Sequence, residues 1–353
     1  MDLATVWFVI VAVFWTGFFV LEGFDFGVGA LHALIGRSET ERRHAIGTIA
    51  PFWDGNEVWL VVGTAAIFAA FPAWFATWFS ALYLGIVLLL LALMLRGVAL
   101  EWRGKGEGHS WRGAWTAALA TGSILAPLVL GVALGDLLAG LPIDEHGAFT
   151  GRVWSLFTGF GVWTGLTLVA LCLMHGATFL AVRTTGDLRA RSQQWGRTLG
   201  IVALVMVAVF AVWTVLIAQP GWLSYLLLAV ALLAVAASLY AARRGSEKGA
   251  FVATAVAIAA TVGSLFASLF PDVLVSSTSS ANSLTVAGSA SSVYALTVMS
   301  VVAAVFFPVV LLYQGYTYVV LRRRVGGASA SAPSDHGPKS MDEPNLDRTW
   351  RPQ

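Results

Sequence analysis

Nine mostly apolar runs alternate with short polar segments along the 353-residue chain, at roughly 5–32, 51–71, 74–95, 113–135, 153–182, 198–218, 222–242, 250–270 and 290–321. A helix needs ~20 apolar residues to cross ~30 Å of hydrocarbon. In lipid the backbone must satisfy its own hydrogen bonds, so each run predicts a helix. The pattern predicts an all-α polytopic membrane protein with about nine transmembrane helices, read as two four-helix bundles plus one peripheral helix. The units expected are 1–150, 151–272, a Ser-rich outer loop with the last helix at 273–321, and a polar, disordered tail at 322–353. The first run starts almost at Met1 without a basic leader or a small-residue cleavage site, and so reads as a retained span.

Composition agrees with this class. Hydrophobic residues make up 58% of the chain and charged residues 11%, against about 25% charged in soluble domains. The net charge of +2 is spread over short loops and forms no patch for nucleic acid. Twenty of the 21 Lys and Arg residues fall in alternate loops and the tail, and only Arg152 lies on the other side. The positive-inside rule then predicts an outer N-terminus and a cytoplasmic C-terminus. The single cysteine, Cys172, sits in an apolar run, reads as an inert buried thiol, and leaves no disulfide to form within the chain.

Four carboxylates interrupt the first two spans. Glu22 and Asp25 lie in LEGFDFGVG, and Asp54 and Glu57 in PFWDGNEVW. Each pair is spaced i, i+3, which favours one helix face. Both pairs fall in the half of the membrane nearer the basic loops. Acids in a span cost a few kcal/mol each and by default mark a proton or ion path. A second reading gives Asp54 and Glu57 a stabilising role at a helix N-terminus begun by Pro51, or pairs the acids with Arg37, Arg96 or Arg103.

His32 and His175 are the histidines in or near spans. Either could hold a haem or metal, but isolated histidines more often serve as hydrogen-bonding groups. No zinc, P-loop or dinucleotide fingerprint is present, so no metal ligands are assigned. Trp74, Trp78, Trp102, Trp111, Trp115, Trp195 and Trp222 fall near span ends and suggest an aromatic belt. Trp53 and Trp59 flank the second pair of acids.

The run from LEGFDFGVG through TERR to WDGNEVW resembles subunit II of the cytochrome bd quinol oxidases. FPDVLVSST, SLTVAGSASSVYALTVM and PVVLLYQGYTY extend the resemblance over residues 1–321. It implies one subunit of a complex in the bacterial cytoplasmic membrane that oxidises membrane quinol and reduces O2 to water. It implies that haem b and haem d, and with them the chemistry, belong to the partner, subunit I, and that no catalytic residue lies in this chain. It further implies a proton route through Asp54, with Glu57, Asp25 and Glu22 as neighbours, and an O2 entry beside Trp59. A structural quinone, membrane lipid and small single-span accessory subunits are further expected companions. The chain has Glu22 where other members have Asp, and Phe52 where some have His. From the acids alone, a proton- or cation-coupled secondary transporter is the alternative, as is a purely structural membrane partner.

Overall fold

The computed structural model describes residues 2–106, 108–218, 220–321 and 324–325. The tail beyond, with its expected disorder, lies outside the described residues. Among the described residues twelve α-helices follow in order: α1 (Leu3–Ile35), α2 (Glu39–Gly47), α3 (Trp53–Ala70), α4 (Pro72–Ala81), α5 (Tyr83–Trp102), α6 (His109–Ala139), α7 (Gly159–Arg183), α8 (Gly186–Ala218), α9 (Trp222–Arg243), α10 (Glu247–Leu269), α11 (Val286–Ser289) and α12 (Val293–Val320).

Among the described residues, eight helices are long and apolar enough to cross a membrane: α1, α5, α6, α7, α8, α9, α10 and α12. The second expected span, α3, is less apolar because its first turns carry Asp54, Asn56 and Glu57. The third was expected at 74–95 but is split. Phe71 leaves helical geometry, Pro72 opens the short α4, and Leu82 separates α4 from α5. Proline suits this first helical position because the amide it lacks has no partner there. Pro51, by contrast, lies in the turn before α3, which starts at Trp53. Helix α8 begins well ahead of the predicted apolar run, because its polar segment from Gly186 is also helical.

Packing sorts the helices. Helix α7 is the most enclosed span, with 78% of its apolar window buried, whereas α12 has 6% buried and lies at the periphery. Small residues set the closest crossings. A Cβ on Gly27 of α1 would sit 2.0 Å from the Cys172 carbonyl and 2.8 Å from the Gly176 Cα of α7. Gly131 and Gly135 of α6 meet Gly165 and Gly161 of α7 in the same way. The first four spans therefore join the later ones backbone to backbone.

The two ends of the bundle differ. At one end, Arg103 grips Glu39 with two 2.9 Å bonds, and Arg191 meets Glu41 at 2.5 Å. Glu247 takes Arg189, Gln193 and Arg324. These contacts gather the basic loops on one face, as their alternation in sequence requires. Helix α2 is fixed there by a capping box between Ser38 and Glu41. Arg103 holds the Glu39 carboxyl below the usual carboxylate range, and Arg191 does the same for Glu41.

At the opposite end, the Ser-rich segment is ordered. Strand β1 (Asp272–Leu274) pairs antiparallel with β2 (Leu284–Thr285). Thr278 and Asn282 donate to the Ile143 carbonyl at 2.5 and 3.2 Å, tying this segment to the loop after α6. Trp74 and Trp78, expected in an aromatic belt, are instead buried at 0% and 2% exposure, stacked on each other beneath this layer. Trp102 and Trp222 are exposed, as a belt requires.

Candidate functional site

Three of the four acids meet, and the fourth does not. Glu22 and Asp25 are buried within α1. Glu57 of α3 turns inward against Arg96 of α5, with 2.9 Å between Oε1 and Nη1. The same guanidinium nitrogen contacts Glu22, and the Arg96 cation lies 4.9 Å over the Phe26 ring. Arg96, named in the sequence only as one of several pairing candidates, is itself wholly buried and central to the site.

Asp54 faces outward. It is exposed, on the side of α3 that carries the exposed Val58, Val61 and Phe68. The i, i+3 spacing keeps Asp54 near Glu57, but only Glu57 reaches Arg96. Glu57 also borders the cleft between α3 and α5.

Asn56, not singled out from the sequence, links the acids to the last helix. Its Nδ2 donates to Asp25 Oδ2 at 2.7 Å and to the Leu21 carbonyl at 3.0 Å. Its Oδ1 accepts from Gln314 Nε2 at 3.1 Å and from the Tyr318 hydroxyl at 2.9 Å, both on α12. Every hydrogen-bonding position of the amide is thus occupied. A glutamine and a tyrosine one turn apart in the QGYTY segment of α12 were the available signal.

Trp59 sits on the seam between α1, α3 and α12. Its indole N–H donates to Gln314 Oε1 at 2.7 Å, and its ring meets Phe14 and Phe307 edge-on. Gly17 permits this: a Cβ there would come within 2.4 Å of the Trp59 ring.

With every acid ionised, Glu22, Asp25, Glu57 and Arg96 carry a net charge of two negative. Burying net charge is costly, and each bound proton removes one unit of it. Glu22 Oε1 is held by the Arg96 ion pair alone, while Glu22 Oε2 and Asp25 Oδ1 have no hydrogen-bond partner among the described residues. The arrangement is suited to taking up and releasing protons.

Among the described residues, neither histidine stands in a group of metal-ligating side chains. His175 is engaged at both ring nitrogens, by Thr254 Oγ1 at 2.6 Å and the Val20 carbonyl at 3.2 Å, and lies flat on Phe251. His32 is bound on one side only, its Nδ1 lying 2.7 Å from the Gly29 carbonyl. The cleft between α3 and α5 has a volume of about 770 Å³ and an almost wholly apolar lining, with Trp53 and Glu57 among its walls.

Residues 3–321 match the family model described as cytochrome bd terminal oxidase subunit II. The chain is 41% identical over 328 residues to the Bacillus subtilis (strain 168) protein named cytochrome bd ubiquinol oxidase subunit 2, covering 92% of this chain and 97% of that one. It is 35% identical over 350 residues to the Escherichia coli (strain K12) cytochrome bd-I ubiquinol oxidase subunit 2, covering 89% and 92%. The fold is similar to a chain in the bd oxidase structure from Geobacillus thermodenitrificans, with a TM-score of 0.73 at 18% identity over 91% of this chain and 98% of that one. The chain belongs to the cytochrome bd terminal oxidase subunit II family.

Proposed function

We propose that this chain carries protons from the cytoplasm towards the site of O2 reduction in the neighbouring haem-bearing subunit I, and braces that subunit in the membrane. The observation that carries this reading is the buried guanidinium of Arg96 shared by the buried Glu22 and the part-exposed Glu57, with the buried Asp25 on the same helix as Glu22. The basic loops mark the cytoplasmic face by the positive-inside rule, and water formation draws its protons from that side. The proton path comprises Glu22, Asp25 and Glu57. Asp54, exposed on α3, hands protons across to subunit I from the face that the partner covers.

The haems, assigned as b and d, reside in subunit I. This fits a chain in which His175 has both ring nitrogens engaged. When bound there, they supply the electron transfer and O2 chemistry for which this chain delivers protons. The apolar cleft between α3 and α5 is the place we assign to a structural quinone, because its size and lining suit an isoprenoid chain. Lipid extraction of the purified complex and of a Leu93→Trp variant tests this, the variant being expected to retain less quinone. Trp59 lies along the seam by which we take O2 to enter. A coupled transporter loses its standing once the chain is placed among oxidase subunits.

The deciding experiment measures quinol-driven O2 consumption by the complex carrying Asp25→Asn or Glu22→Gln, at matched haem content. Slowed turnover with intact haem spectra supports the reading. Unchanged turnover in both removes the acids from the proton path.

A further inference from the structure

The acid cluster lies deep in the bundle, so a proton must first cross from the basic loops. Residues 22, 25, 29 and 32 follow at intervals of three, four and three, and so share one face of α1. His32 is the last of them, at the end of α1 beside the loops, and is fully buried. A carbonyl can only accept, so the 2.7 Å contact with Gly29 fixes the proton on His32 Nδ1. Nε2 is then a free lone pair, buried and without a partner among the described residues.

Two more unpartnered groups lie along the same stretch. Ser123 Oγ, from α6, lacks a hydrogen-bond partner among the described residues, as does Asp25 Oδ1. Ser123 fills the space opened by Gly29, where a Cβ would lie 2.1 Å from its Oγ. Asp25 and His32 are seven residues, or ~10 Å, apart along the helix axis. That gap is the length of a short hydrogen-bonded water chain with a hydroxyl midway. On the loop side, Arg42, Arg103 and Glu39 supply the charges nearest His32, and Arg112 lies beyond Glu39.

We infer that His32 is the entry relay of the proton route, passing protons from the basic face by way of Ser123 to Asp25. The inference rests on the proton-route reading above. In the step, Nε2 takes a proton from water and the ring becomes a short-lived imidazolium, which Glu39 favours and Arg42 and Arg103 oppose. The same proton then leaves Nε2 along the same N–H direction, to water that exchanges towards Ser123, and the neutral ring returns with its Nδ1–H bond to Gly29 kept throughout. His32 touches neither haem nor quinol in this scheme and acts through Asp25.

The test uses the whole oxidase complex with His32→Asn, His32→Ala and Asp25→Asn. An asparagine amide can still donate to the Gly29 carbonyl, but it has no titrating nitrogen. Haem spectra report assembly, O2 consumption reports turnover, and the ratio of turnover in H2O to that in D2O reports proton delivery. For His32→Asn we expect intact haem content, turnover lowered roughly tenfold or more, and a larger isotope ratio. Wild-type turnover and isotope ratio in His32→Asn, with Asp25→Asn slow, would overturn the role of His32 and leave the route standing. Loss of haem in His32→Asn as well as in His32→Ala would also overturn it, in favour of a packing role. Unaltered turnover in Asp25→Asn would instead strike the underlying route.

Discussion

Asn56 donates to Asp25 at 2.7 Å and accepts from Tyr318 at 2.9 Å, so one amide joins α1, α3 and α12. Asn56→Leu keeps the volume but strips Asp25, Gln314 and Tyr318 of this partner. Each buried group left unpaired costs about 1–3 kcal/mol. A lower thermal midpoint of the complex and slower O2 consumption are expected. An unchanged midpoint would show that water replaces the amide.

Arg96 is the only cation contacting Glu22 and Glu57 among the described residues. Removing one partner of a buried ion pair destabilises by about 3–5 kcal/mol, because the other charge stays behind. Arg96→Met is therefore expected to reduce the yield of assembled complex sharply. Adding Glu22→Gln should recover part of it, with a coupling of about 0.5–3 kcal/mol in a double-mutant cycle on denaturation. Additive effects would mean the pair does not act as a unit.

Asp54 makes no hydrogen bond or ion pair among the described residues and is exposed. Asp54→Asn should leave stability within about 0.5 kcal/mol of the parent, while slowing O2 consumption if the carboxyl serves the partner. Oxygen electrode rates at matched haem content separate the two quantities. Wild-type rates would restrict the path to the buried acids.

Gly27→Val would push a branched side chain into the α7 backbone, where even a Cβ meets the Cys172 carbonyl at 2.0 Å. Overpacking of this kind costs about 1–3 kcal/mol or more. Loss of assembled subunit from the membrane fraction, measured by immunoblot, is expected. Normal accumulation would show that α1 and α7 can separate.

The docking of α2 should depend on acid. Glu39 and Glu41 titrate below their ordinary range because Arg103 and Arg191 favour the ionised forms. A depressed carboxyl contributes stability that is fully present above the unfolded value of about 4.3 and is lost as pH falls through the lower folded value. Hydrogen exchange in α2 should be flat from neutral pH to about 5, after correction for the intrinsic rate, and rise below about 4. Glu39→Gln with Glu41→Gln should remove that acid step and leave α2 looser at every pH.

The spans were legible in the sequence because lipid imposes one long apolar run per crossing. The break at Phe71 and Pro72 was not, since an apolar run reads the same whether it bends or continues. The acids were visible as polar residues in apolar runs, but their company was not. Helical spacing put Asp54 and Glu57 within three residues of each other, yet only Glu57 meets Arg96, a direction fixed by where α5 lies. Asn56 was hidden because its importance comes from Gln314 and Tyr318, more than 250 residues away. Trp74 and Trp78 looked interfacial by position and proved to be core, because the layer of β1, β2 and α11 covers them.

A ribosome makes this chain from α1 to α12. Glu22, Asp25 and Asn56 thus exist in the membrane for almost the whole of synthesis before Gln314 and Tyr318 appear. Until α12 arrives, the Asn56 carbonyl oxygen lacks both of those donors. The latest-made helix is therefore the latch on the earliest-made acids, and a chain cut short before it would reach the membrane with its polar centre unfastened.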